Sequence, residues 1–386
     1  MTKHNAPLQL LQPPLAAYIH IPWCVKKCPY CDFNSHTSNE EIPFKAYIKA
    51  LEDDLLHDLE WLHKRPLGSI FFGGGTPSLM PAEQIGEIIE LLEKHFGFEN
   101  SIEITLEANP GTVEHGDFHQ LRAAGVNRLS MGVQSFADKH LTALGRIHST
   151  KEAKAALIQA RECFDNFNID LMHGLPGQTS QDALADLAEA FSFSPSHISW
   201  YQLTIEQNTE FYSRPPSLPH EDTLLNITQE GSQALLEAGF VQYEVSAYAR
   251  AGKASQHNLN YWQFGDYIAL GAGAHGKITL AQKNQILRYQ KTRLPKDYLE
   301  RSGSRSAKTE AIPTDNLALE FVMNALRLNQ GFSPELFESR TGLSFSSIAP
   351  TIKALSSKGL IEYQSGIVRT SALGRNFLNT VLEHFT

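Results

Sequence analysis

Long apolar runs, excess positive charge and paired cysteines are all missing from this chain, and each absence removes a class of function. No stretch approaches the roughly 20 consecutive apolar residues that a membrane-spanning helix needs. Lysine and arginine number 33 against 42 aspartates and glutamates, a formal net charge of -9 at pH 7, which gives no bulk electrostatic grip on nucleic acid or anionic lipid. Cysteine occurs four times in 386 residues. Three of the four are clustered, a usage that fits a reducing compartment and not a disulfide framework. The opening residues MTKHNAPLQLLQPPLAAY lack the unbroken apolar core of a secretory signal, because Gln and Pro interrupt it. The expectation is a soluble, cytoplasmic protein with no nucleic-acid partner, long enough for one large domain and a smaller one.

What the chain does have is a cysteine triplet, Cys24-Val-Lys-Lys-Cys28-Pro-Tyr-Cys31, directly after the apolar Tyr18-Ile-His-Ile. Three thiolates within eight residues suit three corners of an iron–sulfur cubane and leave the fourth iron without a protein ligand. Zinc is the alternative. It needs a fourth ligand, usually from a second Cys-x-x-Cys clip, and none follows. The remaining cysteine, Cys163, falls in a helix-like stretch and reads as a small buried apolar side chain. Lys26 and Lys27 stand where they offset the charge of a cluster, or where they simply solvate a loop.

From Tyr18 to about Ala247, short β-branched runs alternate with longer stretches of helical periodicity. The runs begin near Tyr18, Ser69, Ser101, Asn127, Asn168 and His197, and Pro43–His63 is one amphipathic stretch between them. Six β-then-α units with right-handed crossovers predict an incomplete parallel (β/α)6 barrel over residues 1–250. Chemistry in such barrels gathers at the C-terminal strand ends, and the unusual residues fall there. The cysteines follow the first run, Gly73-Gly74-Gly75-Thr76-Pro77 the second, Glu107 closes the third, and Gln134 and then Arg146 come after the fourth. Asp170 sits on the fifth. The triple glycine lets backbone approach a polar ligand closely, while the carboxylates and amide suit ribose hydroxyls or an ammonium; each taken singly also reads as a salt bridge or helix cap.

Residues 251–311 carry a second constellation and then a connection. Gln256-His257-Asn258-Leu259-Asn260-Tyr261-Trp262 precedes Gly271-Ala-Gly-Ala-His275-Gly276. The latter formally matches Gly-x-Gly-x-x-Gly, but KITLAQ behind it is not helical, so a dinucleotide reading fails for want of context. A histidine among aromatics suits haem ligation or a hydrogen-bonded place in the core. Arg288 to Ala311 is polar and reads as a linker or exposed connection. Residues 312–386 outline a small winged-helix-like α+β domain: helices at Pro334–Thr341 and Ser346–Lys358, a hairpin wing, and a last helix over Ala372–His384. Its second helix has few basic residues, which favours an interaction module over a DNA reader.

The cysteine spacing with an aromatic before its last member resembles the radical S-adenosylmethionine (SAM) superfamily. Tyr-Ile-His-Ile-Pro-Trp-Cys24, Cys28-Pro-Tyr-Cys31-Asp-Phe33, the triple glycine, Gly-Val-Gln134-Ser-Phe, His173-Gly-Leu-Pro and His257-Asn-Leu-Asn-Tyr-Trp262 together resemble its coproporphyrinogen dehydrogenase-like branch, and most closely the haem chaperones of that branch. The resemblance spans nearly the whole chain. It implies a 4Fe-4S cluster on Cys24, Cys28 and Cys31. It implies SAM contacts from Tyr18, Tyr30, Gly74, Gly75, Thr76, Glu107, Gln134, Arg146 and Asp170. It implies haem on candidates His257, Asn258, Tyr261, Trp262 and His275, with His257 and His275 competing as axial ligand.

The implied partners are haem and acceptor haemoproteins, of respiratory or membrane-associated kind, with a homodimer also in view. The dehydrogenases of the branch carry a further cysteine two positions after the triplet, where this chain has Phe33, and a longer N-terminal extension than the 17 residues before Tyr18. Both departures speak against coproporphyrinogen III oxidation by a 5′-deoxyadenosyl radical, which stays as the alternative. No catalytic residue is assigned.

Overall fold

The computed structural model describes residues 9–38, 40–115 and 118–386. Its first strands are β1 (Leu15–Ile21), β2 (Trp23–Cys24), β3 (His36–Thr37), β4 (Leu67–Gly74) and β5 (Phe98–Ala108). There follow β6 (Arg128–Gln134), β7 (Phe167–His173), β8 (His197–Gln202), β9 (Val241–Glu244) and β10 (Ala247–Ala249). The last four of the main sheet are β11 (Asp266–Leu270), β12 (His275–Leu280), β13 (Gln285–Lys291) and β14 (Ser306–Ala311). Twelve of these strands make one sheet in the order β14-β13-β12-β11-β1-β4-β5-β6-β7-β8-β10-β9. The run β1, β4, β5, β6, β7, β8 is parallel throughout, so the expected (β/α)6 partial barrel is present. Beyond it β11 joins β1 in parallel, and antiparallel strands extend both edges.

Successive side chains on a strand point to opposite faces, and here the two faces differ in kind. Ile19, Ile70, Phe72, Ile104, Leu106, Leu129, Met131, Ile169 and Ile198 belong to the main apolar cluster with Ile85, Leu92, Leu157 and Leu187 from the crossover helices. The alternate positions are largely polar: Glu103, Thr105 and Glu107 on β5, Arg128 and Ser130 on β6, Asn168 and Asp170 on β7, Ser199 and Tyr201 on β8. These polar positions give the partial barrel a hydrophilic interior. Two crossover helices start where capping chemistry says they should. Ser149 with Glu152 and Thr179 with Asp182 each form a reciprocal capping box, opening helices Thr150–Cys163 and Ser180–Ser192.

Arg288–Ala311 is not a linker: it supplies most of β13, the helix Pro295–Glu300 and all of β14, although β14 itself is largely exposed. Where the segment is buried, its charge is paired. Lys291 is wholly buried; its ammonium meets Asp54 at 2.7 Å and Asp58 at 2.6 Å, and Tyr298 donates to the same Asp54 at 2.7 Å. The C-terminal part packs helices Thr314–Ala325, Pro334–Thr341 and Ala349–Ser357 with the hairpin β15 (Ile361–Gln364) and β16 (Ile367–Thr370). Edge-on contacts of Phe321 with Phe332 and Phe337, at 5.0 and 5.3 Å, centre its core, and Leu10, Phe264 and Ile286 reach into it from outside. The last helix is broken where one continuous helix was expected: Ala372–Asn376 and Leu378–Leu382 meet at Phe377, whose backbone (φ -120°, ψ 39°) leaves the helical region. Among the described residues no helix is long and apolar enough to cross a membrane.

Candidate functional site

The ends of the parallel strands frame a cavity of about 350 Å³. The chain from Pro22 to Thr37 is pinned over it at both ends. Trp23 and Cys24 pair with His36 and Thr37 through β2 and β3, and Asn34 ties the loop to the sheet, donating to the carbonyls of Ala272 and Arg293 at 2.9 and 2.8 Å. The Gly271-Ala-Gly element therefore serves close packing. Gly273 lies where a Cβ would come within 2.3 Å of the Asn34 amide, and Gly271 (φ +103°) within 2.4 Å of the His20 carbonyl. The triple glycine lies directly behind the cysteine loop. Gly75 and Thr76 donate their N–H groups to Ile21 and Trp23 carbonyls, each at 2.7 Å, and a Cβ on Gly75 would lie 2.3 Å from the Trp23 oxygen.

All three triplet cysteines line the cavity and none forms a disulfide. Burial pushes the thiols of Cys24 and Cys31 up, with the Ser35 hydroxyl pulling the other way. Arg146 bonds the Gly132 carbonyl at 2.6 Å and directs Nη1 at Cys28 Sγ, 3.6 Å away, a cation placed to stabilise a thiolate. Among the described residues no three His, Cys, Asp or Glu side chains are gathered as a single metal ion requires. A cubane spreads its cysteine ligands over different irons, and three cysteines on one loop lining the cavity are a donor set that such a cluster can use. Cys163 ends the helix Thr150–Cys163 and packs partly buried against the main core.

Of the residues singled out in the sequence, Tyr30, Gly74, Gly75, Thr76, Glu107, Gln134, Arg146, Asp170 and Asn258 line the same cavity as the cysteines. Tyr18 does not; its hydroxyl bonds His20 Nδ1 at 2.9 Å and its ring lies against Phe71. Gln134 has a positive φ of 72°, a costly backbone state for a side chain of this size. It is held by the next two residues: Ser135 Oγ and Phe136 N–H both donate to Asp186, at 2.8 and 2.7 Å. Asp170 accepts hydrogen bonds from Asn168, Ser130 and Tyr201 at 2.7, 3.1 and 3.1 Å. Glu107 accepts the Gly74 N–H at 3.2 Å. Burial and then the Asp170 carboxylate push Glu107 up to about 8, against the pull of that N–H.

The sign of the Glu107 effect follows. In the unfolded chain its carboxyl titrates near 4.5, so folding takes up a proton between that value and about 8. Stability present at lower pH is lost as pH rises through this window. Glu107→Gln, neutral throughout, is expected to flatten that decline in the cofactor-free protein. Denaturant midpoints measured between about pH 4.5 and pH 8 test this, and a slope unchanged by the substitution would contradict it.

The second constellation is divided. His257 is 1% exposed. Its Nδ1 meets Ser69 Oγ at 3.0 Å, its backbone N–H bonds Glu103 at 3.1 Å, and its ring packs near Phe71 and Tyr261. Its Nε2 has no partner. Burial, and secondarily Arg128, push it down to about 3, so it is neutral. Tyr261 sits edge-on to Tyr267, and Trp262 lies under the Arg327 guanidinium at 4.3 Å. His275 begins β12 and is exposed; burial of part of its ring and Arg288 lower its pKa.

The sequence reading passed over Asn34, Asp186, Arg128, Asn168 and Tyr201. A signal for some of them was available in polar residues spaced by two inside otherwise apolar strands, Glu103-x-Thr105-x-Glu107, Arg128-x-Ser130 and Asn168-x-Asp170. Asn34 and Asp186 carried none.

Residues 18–190 match the family model of the Radical SAM superfamily, and residues 312–377 that of the HemN C-terminal domain. Over 378 residues the chain is 49% identical to the heme chaperone HemW of Haemophilus influenzae, with 97% of this chain and 98% of the relative covered. It is 45% identical over 374 residues to the heme chaperone HemW of Escherichia coli, again covering 97% and 98%. The solved structure of Escherichia coli coproporphyrinogen III oxidase (HemN), a radical SAM enzyme, superposes with a TM-score of 0.81 at 25% identity, covering 97% of this chain and 90% of that one.

Proposed function

The chain belongs to the heme chaperone HemW family of the radical SAM superfamily, and we propose that it binds haem and passes it to acceptor haemoproteins while holding a 4Fe-4S cluster and SAM. The observation that carries this reading is near full-length kinship at 49% identity with a heme chaperone HemW. Phe33 supports it over coproporphyrinogen oxidation: an exposed phenyl group lines the cavity where the dehydrogenases carry another cysteine.

Cys24, Cys28 and Cys31 hold the cluster in this proposal. A cluster bound by three thiolates supplies one open iron that the amino and carboxylate groups of SAM chelate. Around it the chain's own residues have separable tasks. Gly74 and Gly75, where a Cβ would strike the His20 ring and the Trp23 carbonyl, let this strand end press against the back of the cysteine loop. Glu107 and Asp170 offer carboxylates to an ammonium or to ribose hydroxyls. Gln134 presents an amide from its strained strand end, Arg146 steadies the Cys28 sulfur, and Tyr30 covers the site from beside Phe211, 6.4 Å between ring centres. Tyr18 acts from behind, through His20.

For haem, the accessible imidazole is that of His275. A neutral ring with a free nitrogen is what ligates iron. His257 is neutral too, but it is sealed and engaged by Ser69. Titration of haem into the anaerobically reconstituted protein, followed by its Soret band, is expected to saturate near one haem per chain. His275→Ala should weaken binding and shift the band. His257→Ala should instead lower the unfolding midpoint and leave the haem spectrum in place. Absence of saturable binding by the unaltered protein would sink the haem reading, and the reverse pattern in the variants would exchange the roles of the two histidines.

A further inference from the structure

The cavity runs inward from the cysteines to a floor that neither the cluster nor the SAM contacts explain. Arg128, the first residue of β6, lines it and is 2% exposed. Its guanidinium offers five donors, yet among the described residues it makes one long hydrogen bond, from Nη1 to Thr105 Oγ1 at 3.5 Å, and its Nε has no partner. Glu103 lies 3.9 Å from that Nε, too far for a hydrogen bond. The other Glu103 oxygen is already taken by the Ser255 hydroxyl at 3.3 Å and the His257 N–H at 3.1 Å. Glu103 therefore balances the charge without satisfying the donors. A buried guanidinium left so open is costly unless an acceptor completes it.

The helix Gln256–Trp262 brings a second donor to the same cavity. Its His257 is locked outside the cavity lining, while Asn258 lines it. The Asn258 backbone N–H bonds Ser255 Oγ at 3.4 Å, and its side-chain amide has no hydrogen-bond partner among the described residues. The histidine of the aromatic motif fixes the helix, and the neighbouring asparagine faces whatever fills the barrel.

We propose that Arg128 and Asn258 form a carboxylate-binding subsite on the floor of the partial barrel. Guanidinium groups take carboxylates through two parallel N–H bonds, and the Asn258 amide adds a third donor. Two ligands carry such a group free: haem through its propionates, and a SAM molecule other than the one whose carboxylate is engaged at the open iron. The identity of the ligand rests on the proposed function; the donor pair does not.

The test uses the full chain with its cluster reconstituted, titrated separately with haem, with haem dimethyl ester and with SAM. Arg128→Lys keeps the charge and removes the paired geometry. Asn258→Ala, at a half-buried position, keeps the test readable should the first variant disturb the floor. If the subsite takes a propionate, the unaltered protein binds haem about ten- to a hundredfold more tightly than the ester, as loss of charge-assisted hydrogen bonds implies. Both variants then erase that preference while leaving ester affinity in place. If it takes SAM, both variants weaken SAM by a similar factor and leave the haem-to-ester ratio alone. Should the unaltered protein bind no haem while SAM responds to the variants, the haem reading fails and the subsite stands. Unchanged affinities for all three ligands in both variants would overturn the subsite.

Discussion

Replacing Lys291 by alanine is expected to destabilise the protein by about 3–5 kcal/mol, the usual cost of breaking a buried ion pair from one side. The substitution would leave Asp54, Asp58 and the Tyr298 hydroxyl facing one another in an interior that excludes water. Asp58 is already pushed up to about 6, by burial first and by Asp54, with Lys291 as the main opposing influence. Without the ammonium the Asp58 carboxyl is driven further toward the protonated form, so the deficit should be greatest above pH 6 and narrow as the solution is acidified. Chemical denaturation at neutral and mildly acidic pH measures both features. Lys49→Ala, which removes exposed pairs to Glu52 and Asp53 on the same helix, should change little. Equal effects from the two substitutions would mean that the buried cluster does not tie β13 to the helix Phe44–Asp58.

Serine in place of any one of Cys24, Cys28 or Cys31 is expected to take bound iron from about four atoms per chain, the content of one 4Fe-4S cluster, to near zero after anaerobic reconstitution. The fold should survive, since Cys28 and Cys31 are half-buried and the loop is anchored independently by Asn34 and by the β2–β3 pair. Cys163→Ser, on the outer helix, should retain the full iron content. Iron and sulfide analysis beside far-UV circular dichroism separates loss of the cluster from loss of fold. Retention of iron in all three single variants would remove the triplet from its assigned role.

Much of this architecture could be read from residue order, for physical reasons. Strands such as NRLSMGV bury one face under helices, and the β-branched and apolar residues that this requires gave six runs at the right places. The capping boxes at Ser149 and Thr179 mark helix starts by local chemistry. The cysteine triplet and triple glycine are equally local, since each does its work within a few residues of backbone.

The remainder depends on partners distant in sequence. Lys291 looks solvated until Asp54 and Asp58, more than 230 positions away, are brought against it, and so a sheet edge resembled a linker. His257 and Asn258 are adjacent, yet only the packing of their helix against β4 and β5 decides that the imidazole is sealed and the amide lines the cavity. Asp186 reveals its hold on the Gln134 turn only once the helix Ser180–Ser192 is laid beside that loop. The glycines around Gly271 matched a dinucleotide signature in spacing alone; their backbone is consumed by contact with His20 and Asn34.

The most direct test of the functional account offers the cluster-loaded protein both ligands of its branch in one anaerobic experiment. Haem binding is followed by its Soret band, and coproporphyrinogen III with SAM and reductant is followed for decarboxylated product. The account expects saturable binding of one haem per chain and no porphyrinogen product. Decarboxylation of coproporphyrinogen III without saturable haem binding would contradict it and make the chain a radical enzyme of its branch.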